Sequence, residues 1–222
     1  MEEIFDFLNA ITIHNDREWF HAHKDLYLRA EKQLHNLAEQ MIYGISRFDS
    51  DIRDLKVSDC TYRIYRDTRF SPDKSPYKRH MGIYVCPRGK KSNLAGYYLH
   101  FEAANAEFLG RNLLCSGMHC PDTIMLKKLR EEVLYNGKAF EEAIREARNF
   151  ELDLSNSLSR PPKGFPKDHP YDVLLRLRQW DLFQDVSDEH MADSHFMEWV
   201  LDEFRSTLKI NQLLNRAVLI DA

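Results

Sequence analysis

Six cationic side chains lie within twenty residues, from Thr61 to His80, and this density would let several of them surround one anion. Arginine presents a planar fork of N–H donors that suits phosphate or carboxylate, and lysine adds a compact positive charge. Only Asp67 and Asp73 oppose these cations, so the segment carries a net charge of +4 while the rest of the chain carries −8. This segment, called the basic segment below, predicts a site for a small phosphate- or carboxylate-bearing ligand. Its cations are Arg63, Arg66, Arg69, Lys74, Lys78 and Arg79.

Aromatic residues and prolines are interspersed among these cations. Pro72 and Pro76 would stiffen the loop between them, which lowers the cost of ordering it when a ligand binds. Asp67 and Asp73 leave an alternative open, because they could pair with the arginines and make the loop a structural salt-bridged clasp. The predicted ligand-binding residues are Arg63, Tyr65, Arg66, Asp67, Arg69, Asp73, Lys74, Tyr77, Lys78 and, from a later loop, Lys163.

Two histidine–acid pairs could perform general acid–base chemistry. His100 and Glu102 stand two residues apart in a predicted strand, so their side chains share one face. Asp168 and His169 stand in the segment 160–170, which holds four prolines in eleven residues, and ordered loops often carry function. The structural alternatives are solvent-facing strand residues for the first pair and a helix cap at Asp168 for the second. These four residues are the candidate catalytic groups, and catalysis itself stays an open question.

Other reactive groups fit established chemistries poorly. Cys115 and Cys120 lack the two-residue cysteine gap and the second ligand pair of a zinc site. Ser71 and Lys74 have Ser-x-x-Lys spacing, but Pro76 would end the helix that this chemistry needs, and the companion motifs are missing. The sequence also lacks a Gly-Lys-Ser/Thr phosphate loop. We therefore predict neither a metal nor a cofactor.

Length and charge limit the classes of function. A chain of 222 residues with 43% hydrophobic content can bury a core as one domain. Its net charge of −4 argues against an extended nucleic-acid surface. Nucleic-acid binding at the basic segment stays an alternative, as does a non-catalytic interaction module that docks an acidic peptide.

The cellular compartment is also predicted from the sequence. No run of eighteen apolar residues is present, so we expect no membrane span and no membrane partner. The first residues lack the basic start and apolar core of a signal peptide. We expect a cytoplasmic protein whose four cysteines are reduced thiols.

Hydrophobic periodicity predicts the elements that position the candidate residues. Apolar residues at helical spacing predict one long helix over 17–48, about 48 Å long at 1.5 Å per residue. Alternating apolar residues predict strands over 81–85 and 97–101, with weaker strand candidates over 62–65 and 108–113. A turn over 87–93 would connect the two stronger strands.

Helical spacing returns after Pro121, and a short strand over 180–186 precedes predicted C-terminal helices. We therefore predict a single α+β domain, with a central antiparallel sheet packed by a long N-terminal helix and by C-terminal helices. The predicted domain covers 1–222. It is helical over 1–50, sheet-rich over 57–114, and helical with a Pro-rich loop over 115–222.

Three motifs of the chain resemble those of one known family. They are Asn-Asp-Arg-Glu-Trp-Phe over 15–20, the run from Tyr to Lys over 62–78, and Pro-Lys-Gly-Phe followed by Asp-His-Pro over 162–170. Together they resemble the bacterial and fungal conserved hypothetical proteins of domain-of-unknown-function family 2461, over nearly the whole chain. The resemblance implies a shared fold and a shared site but no activity. It also implies a glycine pair where this chain has Ser116 and Gly117.

Overall fold

The computed structural model describes residues 1–106 and 108–219 and has the α+β architecture that the sequence predicts. In this part of the chain five strands form one antiparallel sheet in the order β1-β2-β3-β5-β4. The strands are β1 (His80–Val85), β2 (Gly96–Glu102), β3 (Leu113–Met118), β4 (Glu151–Leu152) and β5 (Trp180–Asp185).

Helices precede, separate and follow these strands. In chain order they are α1 (Glu2–Ile13), α2 (Arg17–Ala22), α3 (Lys24–Ser46), α4 (Val57–Cys60), α5 (Thr123–Glu146), α6 (Asp172–Leu175), α7 (Asp188–Ala192), α8 (Phe196–Ser206) and α9 (Leu208–Leu219), with a 3₁₀ turn at Ser50–Ile52. None of those within the described ranges is long and apolar enough to cross a membrane.

Two aspartates begin helices by capping free backbone N–H groups. The Asp16 side chain accepts a hydrogen bond from the backbone N–H of Trp19 at 2.8 Å, which starts α2. The Asp122 side chain accepts bonds from the backbone N–H groups of Ile124 and Met125 and starts α5. The first N–H groups of a helix have no partner inside it, so a short carboxylate at this position stabilises the helix start.

The single long helix predicted over 17–48 is wrong, because it divides at His23. The backbone of His23 leaves the helical region, with φ −119° and ψ 31°, and its ring Nδ1 lies 2.9 Å from the carbonyl oxygen of Trp19. The His23 ring also stacks on the Trp19 ring at 4.5 Å between centroids. The Trp19 carbonyl oxygen accepts a hydrogen bond from the His23 backbone N–H at 3.0 Å and also contacts the His23 ring, and α3 starts one residue later at Lys24.

The sheet has a covered face and an open face, because successive side chains of a strand point to opposite sides. Ile83, Leu99 and Leu114 lie on the covered face and are fully buried. Helices α1, α3, α8 and α9 pack on this face, as the contacts of Phe5 with Phe101 show for α1. The even-numbered residues of β2 lie on the opposite face, called the open face below.

The predicted strands over 81–85, 97–101 and 180–186 are confirmed within one or two residues. The weaker candidate over 62–65 is not a strand of the sheet, because Tyr65 forms only an isolated bridge with Tyr77. The candidate over 108–113 joins the sheet only from Leu113, because preceding backbone N–H groups donate to Glu102. In both cases, contacts with residues outside the segment decided the backbone path.

Ser116 and Gly117 lie inside β3, where serine replaces the first glycine that the resemblance implies. The Ser116 hydroxyl lies on the covered face and bonds Thr207 Oγ1 at 2.7 Å and Asn211 Nδ2 at 2.9 Å. Gly117 has φ +121°, and a Cβ atom there would collide with the carbonyl oxygen of Trp180. Position 116 thus anchors α9 to the sheet, whereas position 117 requires glycine for the approach of β5.

Candidate functional site

A cavity of about 680 Å³ lies over the open face of the sheet. Its lining includes Gly82, Gly96 and Gly117 from three neighbouring strands, and glycines leave the floor without side chains at those positions. Cavities of a few hundred to about 1,000 Å³ are the usual size for small-molecule sites. The open face therefore has room for a ligand of that size.

Three cations and one aromatic ring form one wall of the cavity. Lys78 Nζ lies 5.4 Å and Lys90 Nζ lies 5.7 Å from the centre of the Tyr62 ring, and Arg63 lines the same cavity. Burial, and then the nearby Arg63 charge, lowers the pKa of Lys78. Among the residues that the structure describes, neither Arg63 nor Lys78 forms an ion pair with a carboxylate. These residues (Tyr62, Arg63, Lys78 and Lys90) are called the cationic wall below.

The opposite side of the cavity carries carboxylates. His119 Nδ1 lies 2.7 Å from Asp181 Oδ2, and the hydrogen bond to Asp181 raises the pKa of His119. The second oxygen of Asp181 is buried and has no hydrogen-bond partner in the described part of the chain. Asp153 lines the same side and accepts a hydrogen bond from Gln179 at 3.1 Å. The cavity therefore divides into a cationic side and an acidic side.

Tyr98, His100 and Glu102 form a chain of hydrogen bonds along β2 at the cavity floor. The Tyr98 hydroxyl lies 2.9 Å from His100 Nδ1, and His100 Nε2 lies 3.0 Å from Glu102 Oε2. His100 and Glu102 are buried, at 0% and 2% exposure, whereas Tyr98 is half-buried and lines the cavity. Their even spacing places all three on the open face. This chain, called the Tyr–His–Glu chain below, leads from the buried carboxylate to the cavity.

The carboxylate end of the chain is held in its ionised form. Burial raises the pKa of Glu102, but the hydrogen bonds from His100 and from the backbone N–H groups of Leu109 and Phe108 outweigh burial, so the pKa lies below its ordinary value. Phe108 N and Leu109 N lie 2.6 and 2.8 Å from the carboxylate oxygens. Hydrogen bonds to a charged group favour the charged form.

The ionised Glu102 determines the tautomer of His100. Burial lowers the pKa of His100 more than Glu102 raises it, so the ring is neutral and carries one N–H. A carboxylate can only accept, so the N–H is on Nε2 and donates to Glu102. Nδ1 is then an acceptor, and the Tyr98 hydroxyl donates to it.

His80 flanks the chain from the neighbouring strand β1. Its ring lies 5.2 Å from the His100 ring and stacks on Phe108 at 4.2 Å between centroids. Burial, with smaller effects of His100 and Lys78, lowers the pKa of His80 to about 4. At neutral pH both histidines are therefore uncharged.

Most of the other predicted ligand-binding cations have partners inside their own loop. The Arg66 guanidinium bonds the Asp73 carboxylate, and Arg66 Nη1 lies 3.1 Å from the Ser75 carbonyl oxygen. Arg69 pairs with Asp67, with Nε at 2.9 Å and Nη2 at 2.6 Å from its two oxygens. Hydrogen bonds from Ser75, and then from Arg66, hold the pKa of Asp73 well below its usual range. These contacts have the form of the clasp alternative.

Lys74 and the two predicted tyrosines also have structural contacts. Lys74 Nζ donates to the Thr68 carbonyl oxygen at 3.0 Å. Tyr77 is 1% exposed and stacks on Phe20 at 4.1 Å, and Tyr65 lies 5.4 Å from Tyr77. Of the ten predicted ligand-binding residues, Arg63 and Lys78 line the cavity.

The Pro-rich loop lies apart from the cavity. Lys163 and Asp168 are exposed and are not among the residues that line it. His169 Nδ1 accepts a hydrogen bond from the backbone N–H of Tyr171 at 3.3 Å. The structure thus places Tyr98 in the same cavity as Arg63 and Lys78, with His100 and Glu102 buried behind Tyr98, and leaves this loop outside the cavity.

Sequence reasoning missed Tyr98, Lys90, His119 and Asp181. Tyr98 had a local signal, because it stands two residues before His100 and therefore shares its face. Lys90 lies in the predicted turn, and its approach to Tyr62 depends on the fold of that turn. His119 and Asp181 are 62 residues apart and meet because β3 pairs with β5.

Metal binding has no support in the side-chain positions. Within residues 1–106 and 108–219, no three His, Cys, Asp or Glu side chains are grouped so that they could hold a metal ion. The four cysteines are free thiols, and burial raises the pKa of Cys115 well above its ordinary value.

The fold and the site define an α+β protein in which a cavity covers the open face of an antiparallel sheet. The chain belongs to the conserved hypothetical protein family DUF2461, whose family model matches residues 3–212. The resemblance carried by the three sequence motifs is thereby confirmed. Neither a search of curated proteins nor a search of solved structures finds a significant match.

Proposed function

We propose that the protein binds a small anionic molecule, bearing a phosphate or a carboxylate, in the cavity over the open face of the sheet. The observation that carries this proposal is the meeting of exposed Arg63 and half-buried Lys78 on one wall of the cavity, where neither forms an ion pair with a carboxylate in the described part of the chain. Like charges that lie close together repel each other unless an opposite charge joins them. A bound anion would supply that charge.

The rest of the basic segment supports the cationic wall in this proposal. Backbone hydrogen bonds from Arg66 N to Pro76 O and from Lys78 N to Ile64 O, each 2.9 Å, join the two ends of the loop. The internal pairs of Arg66 and Arg69 then stiffen the loop between those ends. The clasp and the binding site are therefore two parts of one arrangement: the clasp orders the backbone, and Arg63 and Lys78 hold the ligand.

A thermal-shift titration with inorganic phosphate and with citrate tests the proposal at low salt. A ligand present at about a hundred times its Kd adds about 2.7 kcal/mol to the free energy of unfolding, which is a readable rise in Tm. We expect this rise in the wild-type protein and its loss in Lys78→Met, which keeps the apolar stem and removes the charge.

The matched control is Lys167→Met, which removes an exposed cation of the Pro-rich loop that does not line the cavity. We expect it to keep the wild-type response. An equal loss in Lys167→Met would mean that the anions act on overall charge, and the proposal would fail. A flat response of the wild-type protein to both anions would also count against it.

A second candidate function is binding of single-stranded nucleic acid, and the exposure of Phe70 favours it. Phe70 is 93% exposed at the tip of the basic segment, with the Arg69 guanidinium 5.8 Å from its ring centre. An exposed ring beside a cation can stack on a base and hold its phosphate. The test is fluorescence anisotropy with a labelled oligonucleotide at several salt concentrations. Binding that weakens steeply with salt and falls in Phe70→Ala would support it, and no binding at low salt would exclude it.

A further inference from the structure

We propose that the Tyr–His–Glu chain makes the cavity a catalytic site, in which the Tyr98 oxygen attacks a phosphoryl group held by the cationic wall. This inference rests on the proposed anion binding and adds a reaction to it. The class of substrate is a phosphate ester of a small organic molecule. Three cations on one wall match the two charges of a phosphoryl group better than the single charge of a carboxylate.

The arrangement has the geometry of an activated nucleophile. A hydroxyl becomes reactive when a base lies within hydrogen-bond reach and a third group orients that base. Here the distances are 2.9 Å from the Tyr98 hydroxyl to His100 and 3.0 Å from His100 to Glu102. The tautomer derived above leaves Nδ1 of His100 free to accept the Tyr98 proton. The Tyr–His–Glu chain therefore contains a nucleophile in the Tyr98 hydroxyl, a base in the His100 imidazole and an orienting group in the Glu102 carboxylate.

The neighbouring strand is shaped to receive the Tyr98 hydroxyl. Gly82 on β1 lies opposite His100, and a Cβ atom at Gly82 would collide with the Tyr98 oxygen. The hydroxyl therefore occupies space that exists only because residue 82 is glycine. The cationic wall and Tyr98 line the same cavity.

Burial prevents Tyr98 from losing its proton before the reaction. Burial raises the pKa of Tyr98 above its ordinary value, with smaller effects of Tyr62, Cys115 and Glu102. A free phenolate is therefore not populated at neutral pH, and the proton must leave as the new bond forms. His100 receives it, and the Glu102 carboxylate stabilises the imidazolium.

The proposed step balances without a further reagent. The Tyr98 oxygen forms a bond to phosphorus, the bond from phosphorus to the ester oxygen breaks, and the Tyr98 proton moves to Nδ1 of His100. The leaving oxygen takes this proton from His100 and departs as an alcohol, which leaves the imidazole neutral for the second step. Water then attacks phosphorus, His100 accepts one of its protons, and phosphate leaves as Tyr98 regains its own.

The pH dependence follows from the groups that surround His100. Leu113 on β3 lies beside it and carries no charge. The titratable and charged neighbours on the packed strands and beside them are Tyr98 and Glu102 on β2, His80 on β1, Cys115 on β3, and Lys78 and Arg66 near His80. Of these groups Glu102, Lys78 and Arg66 are charged at neutral pH, and Glu102 is the one that contacts His100. We therefore expect the chain to stay active below pH 6.5, the ordinary pKa of histidine.

A covalent probe tests this inference without a known substrate. The probe is 4-(fluorosulfonyl)benzoate, whose carboxylate suits the cationic wall and whose tetrahedral sulfonyl group stands in for a phosphoryl group. The Tyr98 oxygen forms a bond to sulfur, the sulfur–fluorine bond breaks, and the proton leaves through His100 with fluoride. Peptide mass spectrometry then locates the adduct. We expect modification of Tyr98 at neutral pH and none at residue 98 in Tyr98→Phe.

The wild-type protein contains its own control residues. Tyr135 and Tyr43 are 85% and 69% exposed and have no histidine–carboxylate pair beside them in the described part of the chain. We expect Tyr98 to react faster than both despite its burial. Faster reaction of Tyr135 or Tyr43 would overturn the inference, and this comparison needs no variant to fold.

The His100→Gln variant separates activation from mere access. We expect its rate of modification at Tyr98 to fall about a hundredfold, as for loss of a general base, and to recover only as the pH approaches the pKa of Tyr98. An unchanged rate in a folded His100→Gln protein would overturn the inference. We expect the rate of Tyr98 modification in the wild-type protein to stay level from neutral pH to below pH 6.5, because the pKa of His100 is lowered. A Tyr–His–Glu chain with only a structural role would not give this level rate.

The probe and thermal-shift experiments distinguish failure of the Tyr–His–Glu chain from failure of anion binding. In one outcome, Tyr98 reacts equally fast with the carboxylate probe and with uncharged benzenesulfonyl fluoride, and inorganic phosphate does not slow either reaction. This outcome would support the activated Tyr98 hydroxyl and refute the anion site. In the other outcome, inorganic phosphate raises Tm but Tyr98 is not modified by the probe. This outcome would support the anion site and refute the catalytic role of the Tyr–His–Glu chain.

Discussion

Asn15 holds the main chain of Tyr77 with both ends of its side-chain amide. Asn15 Nδ2 donates to the Tyr77 carbonyl oxygen at 3.0 Å, and Asn15 Oδ1 accepts from the Tyr77 backbone N–H at 3.0 Å. The two residues are 62 positions apart, and they belong to two of the three motifs that the chain shares with its family. The loop after α1 therefore positions the end of the basic segment directly before Lys78.

Loss of this amide should weaken the whole protein. In Asn15→Ala the backbone N–H and carbonyl of Tyr77 lose their partners, and an unsatisfied polar group costs about 1–3 kcal/mol when it is shielded from water. Urea denaturation measures the free energy of unfolding. Asn15→Asp keeps an acceptor and loses the donor, so we expect its free energy of unfolding to lie between that of Asn15→Ala and that of the wild type. Equal stability of all three proteins would show that water replaces the amide.

The loop of the basic segment should depend on Arg66 and not on Arg69. Arg66 contacts Asp73, Ser71 and Ser75, so Arg66→Ala should loosen the loop and make the segment after it easier to cleave in limited proteolysis. Among the described residues the ion-pair partner of Arg69 is nearby Asp67 at the surface, and exposed pairs contribute little to stability. Arg69→Ala is thus the matched control, and cleavage at the wild-type rate is expected for it. The same rate in Arg66→Ala would mean that the clasp does not order the loop.

Acid should destabilise the protein through His80. Burial lowers the pKa of His80 from 6.5 to about 4, so between these values the unfolded chain binds a proton that the folded protein does not. This contribution to stability is complete above pH 6.5 and is lost as the pH falls towards 4. Between about pH 7 and about pH 5 the loss due to His80 is roughly 2 kcal/mol.

The His80→Gln variant isolates this contribution. Its free energy of unfolding, measured by urea denaturation at the same two pH values, should fall less than that of the wild type, by the amount due to His80. The buried His100 shifts in the same direction and is present in both proteins, so it does not affect the difference. Identical pH dependence of the two proteins would contradict the lowered pKa.

Gly117 should not tolerate a side chain. In Gly117→Ala the new methyl group meets the Trp180 carbonyl oxygen, and the backbone must also keep φ at +121°. Because it combines backbone strain with a collision against a paired strand, we expect Gly117→Ala to lower the free energy of unfolding by about 3 kcal/mol or more. The measurement is Tm by circular dichroism. Gly110→Ala is the control, since it also has positive φ but has no atom within 4 Å of the added Cβ. A loss no larger than that of Gly110→Ala would mean that β5 can shift.

Local chemistry made several features predictable from the sequence. Alternating apolar residues marked β1 and β2, because the covered face of a strand recurs every second residue. The same alternation placed His100 and Glu102 on one face. The charge of the basic segment was also visible, although its division into a clasp and a cationic wall was not.

The sequence by itself determined the strands β1, β2 and β5 and which of their side chains share a face, because those properties depend on neighbours a few residues away. Only the tertiary structure decided that Arg66 turns to Asp73 while Lys78 turns to the cavity, and that β3 pairs with β5 to bring His119 to Asp181. Such choices depend on strand order and loop path, where contacts between distant residues compete. The candidate site is built from contacts between residues that are distant in the sequence. Its residue types could therefore be predicted from the sequence, but which of them lie together could not.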